Sequence, residues 1–222
     1  MKTVFVLLDS LNRNAMESYG DTSVISPNFK RFAERAITFD NHYVGSLPCI
    51  PARRDLHTGR LNFLHRSWGP LEPFDDSFPE LLKLNGTYSH IITDHHHYFA
   101  DGGATYHPRY SSWELVRGQA IDRWKAHVNA DIDHLTLDYH PMQHNRVNNM
   151  INRQYMGEEH EYSGPQTFAL GQEFLKKNHT EDNWFLQLEC FDPHEPFHAP
   201  PRFREMYPTD YNGPILDWSS EE

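Results

Sequence analysis

Cys49 and Arg53 are the residues best placed to bind an anion and act on it. They lie in the stretch Ser46-Leu47-Pro48-Cys49-Ile50-Pro51-Ala52-Arg53-Arg54-Asp55-Leu56-His57-Thr58-Gly59-Arg60. Pro51 suits the first turn of a helix, where its missing N–H costs nothing, and Thr58-Gly59 supplies a stop. The spacing predicts a short helix over 50–58 with Cys49 at its positive end. There, unpaired backbone N–H groups and the helix dipole favour an anion or a developing oxyanion. Arg53, one turn along, can point back at the same place. Its planar guanidinium matches the oxygens of sulfate or phosphate and keeps its charge at every relevant pH. A single cysteine beside an arginine is more often inert and buried. Here the whole pattern Cys-x-Pro-x-Arg followed by Thr-Gly-Arg has to be explained.

Asp9 closes the apolar run Val4-Phe5-Val6-Leu7-Leu8. That run reads as a strand covered on both faces, of the kind found in parallel sheets. Ligands of open α/β sheets collect at the carboxyl ends of strands, and a carboxylate there suits a hard cation such as calcium or magnesium. A helix cap or a solvated loop aspartate is the plainer alternative. His194 follows another apolar run, Trp184-Phe185-Leu186-Gln187-Leu188, inside the proline-bracketed segment Asp192-Pro193-His194-Glu195-Pro196-Phe197. A rigid loop at a strand's carboxyl end is expected, with an imidazole suited to anion contact or proton transfer.

A third strand end carries Thr93-Asp94-His95-His96-His97-Tyr98-Phe99. Three successive histidines suggest zinc. Neighbouring side chains at a strand end alternate in direction, however, so the three are not expected to converge, and His95 is expected at the surface.

The elements that must hold these residues alternate. Helical patterns cover 27–36, 78–84 and 165–177, and strand patterns cover 3–8, 88–93 and 184–190. An α/β fold with parallel strand pairs follows. Residues 98–163 read as an elaborated insertion at the site entrance, with Trp113, Trp124 and Tyr139 as pocket-lining or packing aromatics.

Taken together, these motifs resemble type I sulfatases of the alkaline phosphatase-like superfamily. The similarity extends to Leu8-Asp9-Ser10-Leu11, Tyr19-Gly20, Ser26-Pro27-Asn28-Phe29 and Phe32-Ala33. It implies the amino-terminal half of a sandwich with a mainly parallel central sheet flanked by helices, spanning residues 1–222. It also implies that a maturation enzyme oxidises Cys49 to formylglycine, whose hydrate attacks sulfur and then expels sulfate by collapsing to the aldehyde. Asp9 and residue 49 would hold a divalent metal, calcium foremost, with magnesium or manganese as alternatives. Arg53 would stabilise the residue 49 oxyanion. His194 and His96 would contact the sulfuryl oxygens, with His97 close behind.

Two departures matter. Family members commonly carry a second acid where Ser10 stands, and a lysine where Asp94 falls if His96 is the matching histidine. Both departures keep open a phosphonate or phosphate monoester hydrolase of the same superfamily. In addition, nothing after His194 supplies the remaining metal ligands that the family draws from a later strand. The chain is then a fragment, or a second polypeptide completes the site, or the unit is a non-catalytic binding module.

Composition bounds the partners. The 222 residues are 38% hydrophobic and 14% aromatic, enough for one substantial core. A formal charge of −11 argues against nucleic acid and makes a small sulfate ester an easier substrate than a sulfated polymer. No apolar run approaches a membrane span and no leader is visible, so a cytoplasmic location is expected. Cys49 and Cys190 should stay unpaired there.

Overall fold

The computed structural model describes residues 1–20, 23–63, 65–130 and 143–212. Four strands, β1 (Lys2–Leu8), β2 (Tyr88–Thr93), β3 (Ser112–Leu115) and β4 (Trp184–Cys190), form one parallel sheet in the order β1-β4-β2-β3. The helices are α1 (Pro27–Ala33), α2 (Cys49–Thr58), α3 (Phe78–Leu84), α4 (Gln143–Arg153), α5 (Ser163–Asn178) and α6 (Pro201–Arg204). The α/β class with a parallel central sheet is as the sequence implied.

β4 is buried along its whole length because it is paired on both sides. Its alternation divides the core into two layers. Phe185 packs with Ile50, Leu71, Ile91, Tyr98, Tyr106 and Tyr110 beneath α2 and α3. Trp184, Leu186 and Leu188 pack with Ile92 and Val116 against Leu170, Phe174 and Leu175 of α5. α2 turns Ile50, Arg53, Arg54 and His57 inward, the i, i+3, i+4, i+7 stripe of a helix lying on a sheet. It ends at Gly59, whose φ of 68° is the left-handed conformation that stops a helix. Arg54 ties α2 to the loop before α3 through a buried two-pronged contact with Asp75, at 2.8 Å and 3.0 Å.

β1 corrects one expectation. Read as covered on both faces, it instead has one face packed and one open: Phe5 packs on the core, while Val4 and Val6 on the other face are 46% and 44% exposed. A continuous apolar run indicates a strand but not what covers each of its faces. Helix 27–36 is shorter than its pattern, ending at Ala33. β3 and α4 lie within the predicted insertion. The first has only four residues, and the second is rich in asparagine, a weak helix former. Tyr139 and the chain end from 213 onward lie outside the described residues.

Candidate active site

The carboxyl ends of β1, β2 and β4 and the start of α2 meet at one place. The Asp9 N–H donates to the Cys190 carbonyl at 3.0 Å, extending the β1–β4 ladder one residue beyond the strand and fixing the carboxylate at its tip. Cys49 is the first residue of α2. Asp9, Cys49 and His95 each present a ligating atom, and these atoms all lie within 4.8 Å of one another. Arg53 brings Nη2 to 3.0 Å from Asp9 Oδ2, while its Nη1 donates to the Cys49 carbonyl at 3.4 Å.

His95 corrects the sequence reading. Expected at the surface, it is 0% exposed, with Nε2 3.2 Å from Asp9 Oδ2. The alternation argument failed because β2 stops at Thr93. The His95 N–H donates to Thr93 Oγ1 at 2.9 Å, and the chain winds into a 3-10 turn at His96–Phe99. That turn gathers the histidines instead of fanning them out: ring centroids are 5.4 Å apart for His95 and His97, and 4.2 Å for His96 and His97. Phe191 seats the group, 4.9 Å from His95 and 4.2 Å from His194. His194 Nδ1 is 2.9 Å from Glu195 Oε2. Asp94 accepts from the Phe191 N–H at 2.6 Å, and burial pushes its carboxyl up to about 7.

The electrostatics follow from the packing. Burial acts to raise Asp9, but the His95 hydrogen bond and the charges of Arg53, His95 and His194 outweigh it and hold the carboxyl below its usual range. For Cys49, burial and the Asp9 charge outweigh Arg53 and push the thiol up to about 11. An unmodified thiol is therefore protonated near neutrality and a poor nucleophile. Burial drives His96 down to about 2 and His97 to about 4, helped in both by neighbouring histidines, so both rings are neutral donor–acceptors there.

A divalent cation suits this donor set. His95 Nδ1 is buried without a hydrogen-bond partner, and a carboxylate beside a neutral imidazole is a usual ligand pair. Trp113 and Trp124 pack elsewhere, Trp113 against Phe99 and His107 and Trp124 against Tyr155 and Lys125.

The sequence reading overlooked the support beneath Arg53. Gln187 and Glu189 are fully buried on the α2 side of β4. Arg53 Nε donates to Glu189 Oε1 at 2.9 Å, and the Tyr98 hydroxyl and Gln187 Nε2 donate to Glu189 Oε2 at 2.9 Å and 2.7 Å. The Tyr110 hydroxyl donates to Gln187 Oε1 at 2.6 Å. The signal was available: two polar residues at i and i+2 in an otherwise apolar central strand mark one polar face.

Comparison with known proteins adds an independent observation. The sequence model of the family described as Sulfatase matches residues 2–214. Human iduronate 2-sulfatase is 24% identical over 232 aligned residues, covering 95% of this chain and 38% of its own length. A solved structure of a protein in complex with its substrate D-glucosamine-2-N,6-O-disulfate superposes with a TM-score of 0.62 at 18% identity, over 90% of this chain and 36% of that one. The phosphonate monoester hydrolase of Agrobacterium radiobacter superposes with a TM-score of 0.57 at 21% identity, over 91% of this chain and 43% of that one. The chain thus spans well under half the length of these relatives.

Proposed function

The chain belongs to the sulfatase family, and from that premise we propose that it forms the nucleophile-bearing half of a sulfuric ester hydrolase acting on a small sulfate ester. The observation that carries the reading is the meeting of Asp9, Cys49 and His95 within 4.8 Å, under the Arg53 guanidinium. Cys49 is converted to formylglycine by a maturation enzyme, which accounts for a cysteine kept where its thiol is a weak acid. The hydrated side chain then offers its oxygens at the electropositive start of α2.

Asp9 and residue 49 hold a divalent cation, with His95 as a nitrogen donor that the family resemblance had not indicated. Such an ion would polarise a sulfuryl oxygen and favour the deprotonated hydroxyl of residue 49. Arg53 stabilises the oxyanion at residue 49, and His96, His97 and His194 bind the sulfuryl oxygens. The remaining ligands come from sequence outside these 222 residues, either a continuation of the polypeptide or a second one. Family length supports this, since the chain covers 38% of its human relative.

Mass analysis of the tryptic peptide 36–53, after co-production with a formylglycine-generating enzyme, should show an aldehyde at residue 49. In the complete enzyme, Cys49→Ala should abolish sulfate-ester turnover while leaving thermal stability within a few degrees of wild type. Undiminished turnover overturns the assignment.

A second reading, phosphonate or phosphate monoester hydrolysis, is favoured by Ser10, whose hydroxyl donates to Asp9 Oδ1 at 3.2 Å and brings no charge. Relative turnover of aryl sulfate and aryl phosphonate separates the two.

A further inference from the structure

We propose that Glu189 is the positioning residue for Arg53: its buried carboxylate takes the Nε–H of the guanidinium, which sets the plane so that Nη2 meets Asp9 and Nη1 meets the residue 49 carbonyl. The proposal rests on the hydrolase reading for its consequence in turnover, but the anchoring itself is a property of the fold.

Arginine presents five N–H donors in a rigid fork on a flexible stem. Where one N–H of that rigid plane is fixed, the directions of the others are set with it. Arg53 is fixed at Nε by Glu189 Oε1 at 2.9 Å, and Nη2, beside Nε on the same edge, stands 3.0 Å from Asp9 Oδ2. Glu189 in turn has no freedom. It sits mid-sheet on a strand paired on both sides, is fully buried, and receives the Tyr98 hydroxyl and the Gln187 amide on its second oxygen. Gln187 is itself oriented by the Tyr110 hydroxyl. The guanidinium therefore inherits the rigidity of β4 rather than the mobility of its own side chain.

Burying a carboxylate is costly unless its charge is matched and its oxygens are satisfied. Here both conditions hold, and a group that only filled space could be hydrocarbon. The charge on Glu189 also offsets that of Arg53 without touching the face turned to residue 49. Arg53 is thus held in place without being neutralised by Asp9 alone.

The test is a double-mutant cycle in the complete, matured enzyme, together with magnetic resonance of the Arg53 side chain. Glu189→Gln keeps the shape and should lower kcat by about 100-fold with KM changed by less than about threefold, the signature of a displaced transition-state contact. Glu189→Asp should recover part of that loss. In the Arg53→Ala background, Glu189→Gln should add less than about threefold, because residues that act as a unit are non-additive. A full 100-fold effect persisting without Arg53, or a wild-type kcat in Glu189→Gln, overturns the proposal. Should Glu189→Gln fail to fold, Tyr98→Phe removes one neutral donor from the carboxylate. Its smaller loss must likewise vanish without Arg53, and full additivity overturns the proposal.

The Arg53 Nε–H, identified by its disappearance in Arg53→Lys, should exchange slowly in wild type and at least tenfold faster in Tyr98→Phe or Glu189→Gln. This readout does not depend on turnover. A protected Nε–H in a protein silent toward sulfate and phosphonate esters counts against the reaction alone, whereas an unprotected one in an active enzyme counts against the anchor alone.

Discussion

His95 Nε2, on a fully buried ring, stands 3.2 Å from Asp9 Oδ2. A carboxylate at the tip of β1 and an imidazole folded over from the end of β2 thus share one small space. Ser10 stands beside Asp9 in place of a second acid, and the nearest further ligating atom to Asp9 besides Cys49 is this nitrogen. Replacing His95 with Ala should weaken manganese binding about tenfold or more while moving calcium affinity less, since imidazole suits transition metals better than hard cations. Calorimetric titration of the dialysed protein with each ion checks this. Equal losses for both ions would argue that His95 only orients Asp9.

The Arg54–Asp75 pair fixes α2 beside the Arg53 anchor. Both partners are 3% exposed, and removing one leaves the other an uncompensated buried charge. Arg54→Ala is expected to cost about 3–5 kcal/mol of unfolding free energy. Urea unfolding of wild type and variant gives the difference directly, and a change below about 1 kcal/mol would show that the pair is well solvated.

His57 sets a pH dependence of stability. Burial, with the charges of Arg53 and Arg109, lowers its pKa from 6.5 to about 3. The unfolded chain then binds a proton that the folded one refuses, so stability is complete above about pH 6.5 and falls as the pH drops toward 3. Between about pH 7.5 and about pH 5.5 this residue alone should remove about 1 kcal/mol. Denaturation of wild type and His57→Gln at the two values tests it, and the gap between the proteins should narrow in acid. A constant gap would place His57 in contact with water.

Gly103 lies against the turn that carries the histidines. A Cβ there would be driven into the His97 carbonyl, which belongs to backbone and cannot rotate away. Gly103→Ala should therefore destabilise the protein by about 1–3 kcal/mol and displace the turn, with turnover falling alongside stability. Thermal unfolding and a sulfate-ester assay measure the two effects, and a silent substitution would mean that the turn yields freely.

Much of the framework could be read from residue order. The strands 88–93 and 184–190 and the helix 78–84 occupy the positions that their periodicity indicates. Cys49, Arg53 and Asp9 come together as the strand-end placement and the family resemblance implied. What could not be read depended on contacts distant in sequence. The exposure of Val4 and Val6 on β1 is decided by what packs over that face, and a hydrophobic run looks the same whether one face is covered or both. His95 was misplaced because a tight turn, not a continuing strand, follows Thr93. Glu189 was passed over because a charge inside an apolar strand gains its meaning only from Arg53, 136 residues away in sequence.

The alternation along β4 also polices sheet assembly. Pairing that slipped by a single residue would drive the Glu189 carboxylate into the hydrocarbon beneath α5 and set Leu188 or Cys190 before the guanidinium. Misregistered intermediates are penalised at the very tip where the chemistry is to be done, so the polar end of this strand proofreads the alignment of its neighbours.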